Sequence, residues 1–181
     1  MRKNARVGAP LLVVVTGMPS SGKTTVAEEL ARRLRLPLLA KDTIKEALYE
    51  SLGADDVAAS GRLGAAAYGL IFALARTMLA AQVSVILEGN FFHDQEAELM
   101  GLPAHRLIQV HCAAPLAVLL DRYARRARHP GHHDAEKITE LPARFESGAH
   151  SPLQLDGRLI QLDTTRPVEF AALVERIRAE T

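Results

Sequence analysis

The sequence predicts an α/β fold: a five-stranded parallel sheet with helices on both faces. Three observations carry this. The candidate strands are continuous apolar runs rather than alternating ones, which marks strands buried on both sides. Strand-like and helix-like segments take turns along the whole chain, the pattern of crossover connections. The first strand also ends in a glycine-rich turn that leads straight into a helix.

The elements follow in order. Leu11–Thr16 is apolar, rich in β-branched residues and closed by Gly17, and reads as a buried strand. Gly22–Leu34 reads as a helix, with Val26, Leu30 and Leu34 spaced for one face. A short strand is expected at Pro37–Ala40 and a helix at Thr43–Leu52. "GADDVAASG" reads as a loop, Arg62–Ala81 as a long helix and Val83–Leu87 as a third strand closed by Glu88-Gly89-Asn90. His93–Met100 is a short helix and Leu107–Cys112 the fourth strand. Pro115 opens a helix running to about Arg126. "RARHPGHHD" breaks the pattern, Ala135–Phe145 is helical, Leu159–Leu162 is the fifth strand and Pro167–Ala179 the closing helix.

Length and composition narrow the function. The 181 residues suit one domain with a full core. A formal net charge of +1 demands neither nucleic acid nor an anionic membrane as partner. A single cysteine, Cys112, leaves no internal disulfide framework and fits a reducing cytoplasm. The basic N-terminus precedes only the short run Leu11–Val15, which passes into the glycine loop as a strand rather than a secretory signal. Leu63–Val83 is interrupted by Arg76, Gln82 and small residues, so no stretch is expected to span a bilayer.

Residues 17–25, "GMPSSGKTT", carry the chemistry. Gly17, Gly22, Lys23 and Thr24 fit G-x-x-x-x-G-K-[ST], the Walker A phosphate loop, between a strand and a helix. Glycines let the backbone curl so that successive N–H groups of the segment holding Pro19, Ser20, Ser21 and Thr25 converge on an anion. The helix N-terminus adds its positive end. Lys23 is placed for the β- and γ-phosphates, and the Thr24 hydroxyl for Mg²⁺.

Three further features separate phosphoryl transfer from mere nucleotide holding. Asp42, in "LLAKDTIKEALYE", lies where the second strand ends, at the edge that faces the ligand crevice of doubly wound sheets. It is a candidate base toward an acceptor hydroxyl; the competing role is helix capping by Asp42 or Thr43 with Glu46. Glu88 ends the third strand, where a carboxylate serves Mg²⁺ or the acceptor, or else faces solvent. Phe91 and Phe92 just beyond it are pocket wall or core. Third, Arg122, Arg125, Arg126 and Arg128 lie on or just past a helix broken by His129-Pro130-Gly131. Arginines on a closing lid, at approximately 126–136, would neutralise phosphate charge and exclude water; the competing role is a solvated helix end. Arg126 and Arg128 are nearest the break. His129, His132 and His133 lack a strong metal-ligand spacing. Tyr68 and Arg76 on the long helix are candidates for the acceptor pocket.

Taken together, GMPSSGKT, the Lys41-Asp42 pair, EGNFF, the R-x₂-R-R-x-R-H-P-G segment and "LDTTRP" resemble the small P-loop kinases. More narrowly, the chain is similar to the chloramphenicol phosphotransferase and zeta-toxin-like kinases and to the kinase half of polynucleotide kinases. The resemblance implies the P-loop NTPase fold with strand order 2-3-1-4-5 and ATP as phosphoryl donor. It implies a base role for Asp42, phosphate contacts for Arg126 or Arg128, and a place beside the adenine for Asp163–Pro167, with Thr165 and Arg166 as candidates. Glu88-Gly89-Asn90 departs from the aspartate found there in several members, and the Ala-rich acceptor segment carries no acceptor signature.

The leading expectation is an ATP- and Mg²⁺-dependent kinase acting on a small-molecule hydroxyl, an antibiotic or a metabolite. A 5′-hydroxyl polynucleotide or nucleotide kinase is the near alternative, although the basic residues gather at the lid rather than in a groove leading to Asp42. A slow or non-catalytic ATP-binding regulator is the alternative of another class.

Overall fold

A computed structural model describes residues 8–103, 105–125 and 138–180. The strands are β1 (Leu11–Gly17), β2 (Leu38–Ala40), β3 (Val85–Glu88), β4 (Arg106–Ala113) and β5 (Arg158–Asp163). They form one sheet in the order β2-β3-β1-β4-β5, and every pairing is parallel. Central β1 sets Val13 beside Ile86 on one side and Ile108 on the other. All seven of its residues are buried, which explains the unbroken apolar run.

Successive β1 residues feed two cores, as the period of two requires. Val13 and Val15 join Val26, Leu30, Ile108, Ile160 and Ile177, under helix α1 (Lys23–Leu34) and the closing helix α7 (Phe170–Ala179). Leu12 and Val14 join Ile71, Phe72, Leu79, Leu87 and Phe91, under the long helix α3 (Val57–Ala80). The remaining helices are α2 (Lys41–Leu52), α4 (Glu96–Met100), α5 (Leu116–Arg125) and α6 (Leu141–Glu146), with 3₁₀ turns at His93–Gln95 and Ile138–Glu140.

Several boundaries differ from the sequence expectation. Helix α3 begins at Val57, not Arg62, because the Asp56 carboxylate accepts from the Ala59 N–H at 2.6 Å and caps it; the "GADDVAASG" loop is correspondingly short. Strand β3 begins at Val85 rather than Val83, after a turn with Gln82 at φ 62° and with Val83 still exposed. Within the stretch expected as one helix over Ala135–Phe145, a 3₁₀ turn at Ile138–Glu140 precedes α6, and residues 135–137 lie outside the described residues. Helix α3, at 24 residues, is by length and composition apolar enough to cross a membrane, contrary to expectation. Its Ala and Gly residues raise the hydropathy, while Ile71, Phe72, Ala75 and Leu79 pack on the sheet.

Candidate functional site

The carboxyl ends of β1, β2 and β3 meet at one edge: Val15 pairs with Glu88, and Ala40 pairs with Glu88 from the other side. The phosphate loop, α2 and the chain after β3 all start there. Gly17, at φ 144°, sits so close to β4 that a Cβ would run into the Cys112 carbonyl and the Ser21 hydroxyl. Ser20 at φ 64° and Gly22 at φ 82° complete the curl, and the Ser21 N–H donates to the Met18 carbonyl at 3.1 Å. The Ser20 and Ser21 hydroxyls are buried and have no hydrogen-bond partner among the described residues. Buried donors with no partner among the described residues suit an anion. Lys23 is buried and donates to the Met18 carbonyl at 3.4 Å, so its ammonium is held against the loop.

Glu88 is 1% exposed, which excludes the solvent-facing role. The Thr24 hydroxyl donates to its Oε1 at 3.2 Å, while Oε2 has no partner among the described residues. Burial pushes the Glu88 carboxyl above its ordinary range and Asp42 adds to this; Lys23, the Thr24 hydrogen bond and Lys41 oppose it. A hydroxyl beside a half-satisfied carboxylate is a hard-oxygen donor pair, and it fits Mg²⁺.

Helix α2 starts at Lys41, two residues before the Thr43 expected from sequence, so Asp42 lies in its first turn. The helix is entered directly from β2 at Ala40, with no side-chain cap, so neither Asp42 nor Thr43 serves as N-cap. Asp42 instead pairs with Lys41, Nζ to Oδ1 at 2.9 Å.

A cleft of about 620 Å³ opens between these elements. Pro19, Lys23 and Asp42 all line it, so the phosphate loop and the candidate base share one chamber. The helix α3 contributes Ser60, Gly61, Gly64, Tyr68 and Gly69, and the segment after β3 contributes Asn90, Phe92 and Asp94. The two phenylalanines divide: Phe91 is core, with its ring 5.4 Å from that of Tyr68 and 6.1 Å from that of Phe72, while Phe92 lines the cleft. Tyr68 faces the cleft as expected. Burial holds its phenol far above the usual range, with Asp42 and Glu88 adding to it, so it stays protonated as a donor. Arg76 does not reach the cleft and donates to the Gly101 carbonyl at 3.3 Å.

Sequence reasoning missed Lys45, which is buried, lines the cleft and donates to Ser60 Oγ at 2.6 Å. Its one signal was its place three residues after Asp42, on the same helix face. Beyond β5, Arg122 donates from Nη1 to Thr164 Oγ1 at 3.2 Å and from Nη2 to the Thr164 carbonyl at 2.6 Å. Thr164 stands 3.7 Å from where a Gly22 Cβ would be, so Arg122 braces the β5 loop against the phosphate loop. Thr165 is tied to Asp163 by its N–H and hydroxyl, at 2.9 and 2.7 Å, and Arg166 is exposed beside it. Thr25 is exposed on the first turn of α1. Arg126, Arg128, the three histidines and the expected lid lie outside the described residues.

A nucleotide-binding loop, a carboxylate at the next strand edge and a shared chamber define a P-loop protein of the kinase-like type. The chain belongs to the AAA_33 family, a family of AAA domains, whose model matches residues 12–147. It is similar to a crystal structure from Chloroflexus aurantiacus provisionally described as a kinase, at 34% identity and TM-score 0.86, covering 96% of this chain and 99% of that one. A sugar kinase from a Janibacter species (22% identity, TM-score 0.60, 94% and 93% covered) shares the fold. So does shikimate kinase from Bacteroides thetaiotaomicron (15%, TM-score 0.58, 94% and 97%). A cytidylate kinase from Pyrobaculum neutrophilum is 47% identical over 45 residues, which is 25% of this chain and 24% of that protein. The match thus spans about a quarter of that curated relative's length.

Proposed function

We propose that this chain is an ATP-dependent phosphotransferase that moves the γ-phosphate to a hydroxyl of a small molecule. One observation carries the reading: Lys23 of the phosphate loop and Asp42 line the same cleft. In the transfer, the acceptor oxygen attacks the γ-phosphorus, its proton passes to Asp42, and the bond to the ADP oxygen breaks. The backbone N–H groups from Gly17 to Thr25 cradle the phosphates, and Lys23 offsets the charge on the transferring group. Thr24 and Glu88 would hold Mg²⁺, which would supply charge neutralisation to the phosphates. Arg126 and Arg128 on a lid over approximately 126–136 complete that neutralisation, and Arg122, Thr165 and Arg166 border the adenine. A cytoplasmic place suits the buried single Cys112.

The acceptor class extends to two narrower readings. The resemblance to chloramphenicol phosphotransferase and zeta-toxin-like kinases favours a hydroxylated antibiotic or sugar-like acceptor. The cytidylate kinase match favours a nucleoside monophosphate, in which case the accepting oxygen is a phosphate oxygen and no base is needed.

The test is ATP consumption with Mg²⁺ across sugars, hydroxylated antibiotics, nucleosides, nucleoside monophosphates and 5′-hydroxyl oligonucleotides. The expected outcome is stimulation by a small alcohol that Asp42→Asn abolishes. Stimulation by a nucleoside monophosphate that survives Asp42→Asn would replace the alcohol acceptor. Nucleotide binding with no stimulation by any class would favour a regulatory nucleotide binder.

A further inference from the structure

Behind the phosphate loop lies a second cavity of about 160 Å³, walled by Met18, His111, Leu119, Arg144, Phe145 and His150 among others. Neither Lys23 nor Asp42 is among its walls. His150 is 5% exposed, and both its ring nitrogens are buried with no hydrogen-bond partner among the described residues. A buried imidazole without partners is costly, so a hydrogen-bonding group entering the cavity would stabilise it. The ring is fixed by contact with Phe92, 4.9 Å between centroids.

The charged and imidazole side chains that wall the cavity are basic among the described residues, and the Glu140 carboxylate meets Arg144 from outside that lining. The described residues that wall the cavity include Arg144 and two histidines but no carboxylate. After burial itself, the influences that hold His150 down to about 4 are Arg144, Lys23 and His111, all cationic or potentially so. Arg144, Lys23 and His111 thus bring basic groups toward the ring. Arg144 gives Nη2 to Glu140 Oε2 at 2.6 Å, which leaves the rest of the guanidinium fork for another partner. His111 holds its Nδ1 on Thr16 Oγ1 at 3.0 Å, so its ring is oriented by β1. Water at ~30 Å³ per molecule would fill the space about five times over, so a tetrahedral or carboxylate group fits with water to spare.

We propose that this cavity is a subsite for a small oxyanion, a phosphate or carboxylate group, held by Arg144 and His150. Arg144 also lines the main cleft, and Phe92 connects the two walls. The anion is thus either free in solution or the acidic arm of a molecule whose body lies in the cleft. The site does not depend on phosphoryl transfer taking place.

The experiment is a histidine NMR titration of the full chain in excess Mg·ADP, which occupies the phosphate loop. The His150 ring resonance is assigned by its absence from His150→Gln. Inorganic phosphate is expected to move it saturably, where potassium chloride at matched ionic strength does not. Arg144→Gln should weaken that response at least tenfold, and Arg144→Lys should weaken it less, since charge survives without the fork. Glycerol 3-phosphate binding more tightly than phosphate identifies an acidic arm; equal binding identifies a free ion. No saturable movement with either anion, or an unchanged response in Arg144→Gln, overturns the subsite. Failure of ADP to bind in the same samples would count against the proposed function alone.

Discussion

Two side chains in one chamber, Lys23 and Asp42, separate the two halves of the proposed chemistry. Lys23 acts on the donor, so Lys23→Ala is expected to abolish ATP turnover and to weaken nucleotide binding, read by calorimetry beside a turnover assay. Asp42 acts on the acceptor. Asp42→Asn keeps the size of the side chain and a hydrogen bond for Lys41, so the fold around α2 should hold. Its expected signature is nucleotide affinity within a few-fold of wild type with transfer lowered by roughly a hundredfold or more. Equal loss of both would assign Asp42 to the architecture of the cleft. The motif residues were legible because the phosphate loop is a local pattern: strand, curl and helix are contiguous, and each residue's part follows from spacing. Lys45, Thr164 and Arg144 were not legible, because their roles exist only where distant elements meet. Lys45 on α2 reads as one more surface lysine until Ser60 of α3 closes over it.

Helix α3 shows what an element can reveal that its residues singly do not. The sequence marked a long helix, Arg62–Ala81, and its small residues, but not what Gly61, Gly64 and Gly69 are for. In a helix interior each glycine is less favourable than alanine by ~1 kcal/mol. Packing does not demand them, since a Cβ at any of the three would meet nothing within 4 Å. All three line the cleft, so what they preserve is open space. The expected outcome for Gly64→Ala and Gly69→Ala is a more stable protein, by about 1 kcal/mol each in denaturant unfolding, if propensity alone acts. Combined with Gly61→Ala, the added methyls should raise the acceptor KM while leaving ADP affinity alone. A triple variant that gains stability and keeps its KM would show that the glycine face is not where the acceptor lies. The element boundaries that the sequence displaced have the same origin: Asp56 capping α3 and the direct step from β2 into α2 are set by side chains and strand pairing, which periodicity cannot register.

For the whole molecule, the alternation of apolar strands and helices pointed to a parallel sheet covered on both faces, and the resemblance to small P-loop kinases implied the order 2-3-1-4-5 that the sheet shows, so the global fold was open to reasoning from sequence. The electrostatic balance was not, because it depends on burial. Glu88 illustrates the consequence. Its carboxyl is held above its ordinary value of 4.5, first by burial. Between that value and the raised one, the folded chain binds the Glu88 proton and the unfolded chain does not. The stabilisation is therefore fully present below about 4.5 and is lost as pH rises through the folded value. At pH above about 4.5 the buried, half-satisfied Glu88 carboxyl is thus a standing destabilisation, accepted for the sake of a cation-binding oxygen at the strand edge. Glu88→Gln removes it. His111 and His150, whose pKa values are lowered by burial, act in the opposite sense, destabilising the fold as pH falls below about 6.5. They are common to both proteins and cancel in the comparison. The thermal midpoint of Glu88→Gln should exceed that of the wild type at pH 7.5, and the two should converge toward pH 4.5. Added Mg·ADP should stabilise the wild type more than the variant, because only the carboxylate gains a partner when Mg²⁺ arrives. A wild-type advantage at pH 7.5 without ligand would mean that the Thr24 and Lys23 interactions already outweigh the burial of Glu88. The open Oε2 would then be a tolerated gap in the core rather than a position kept for a metal.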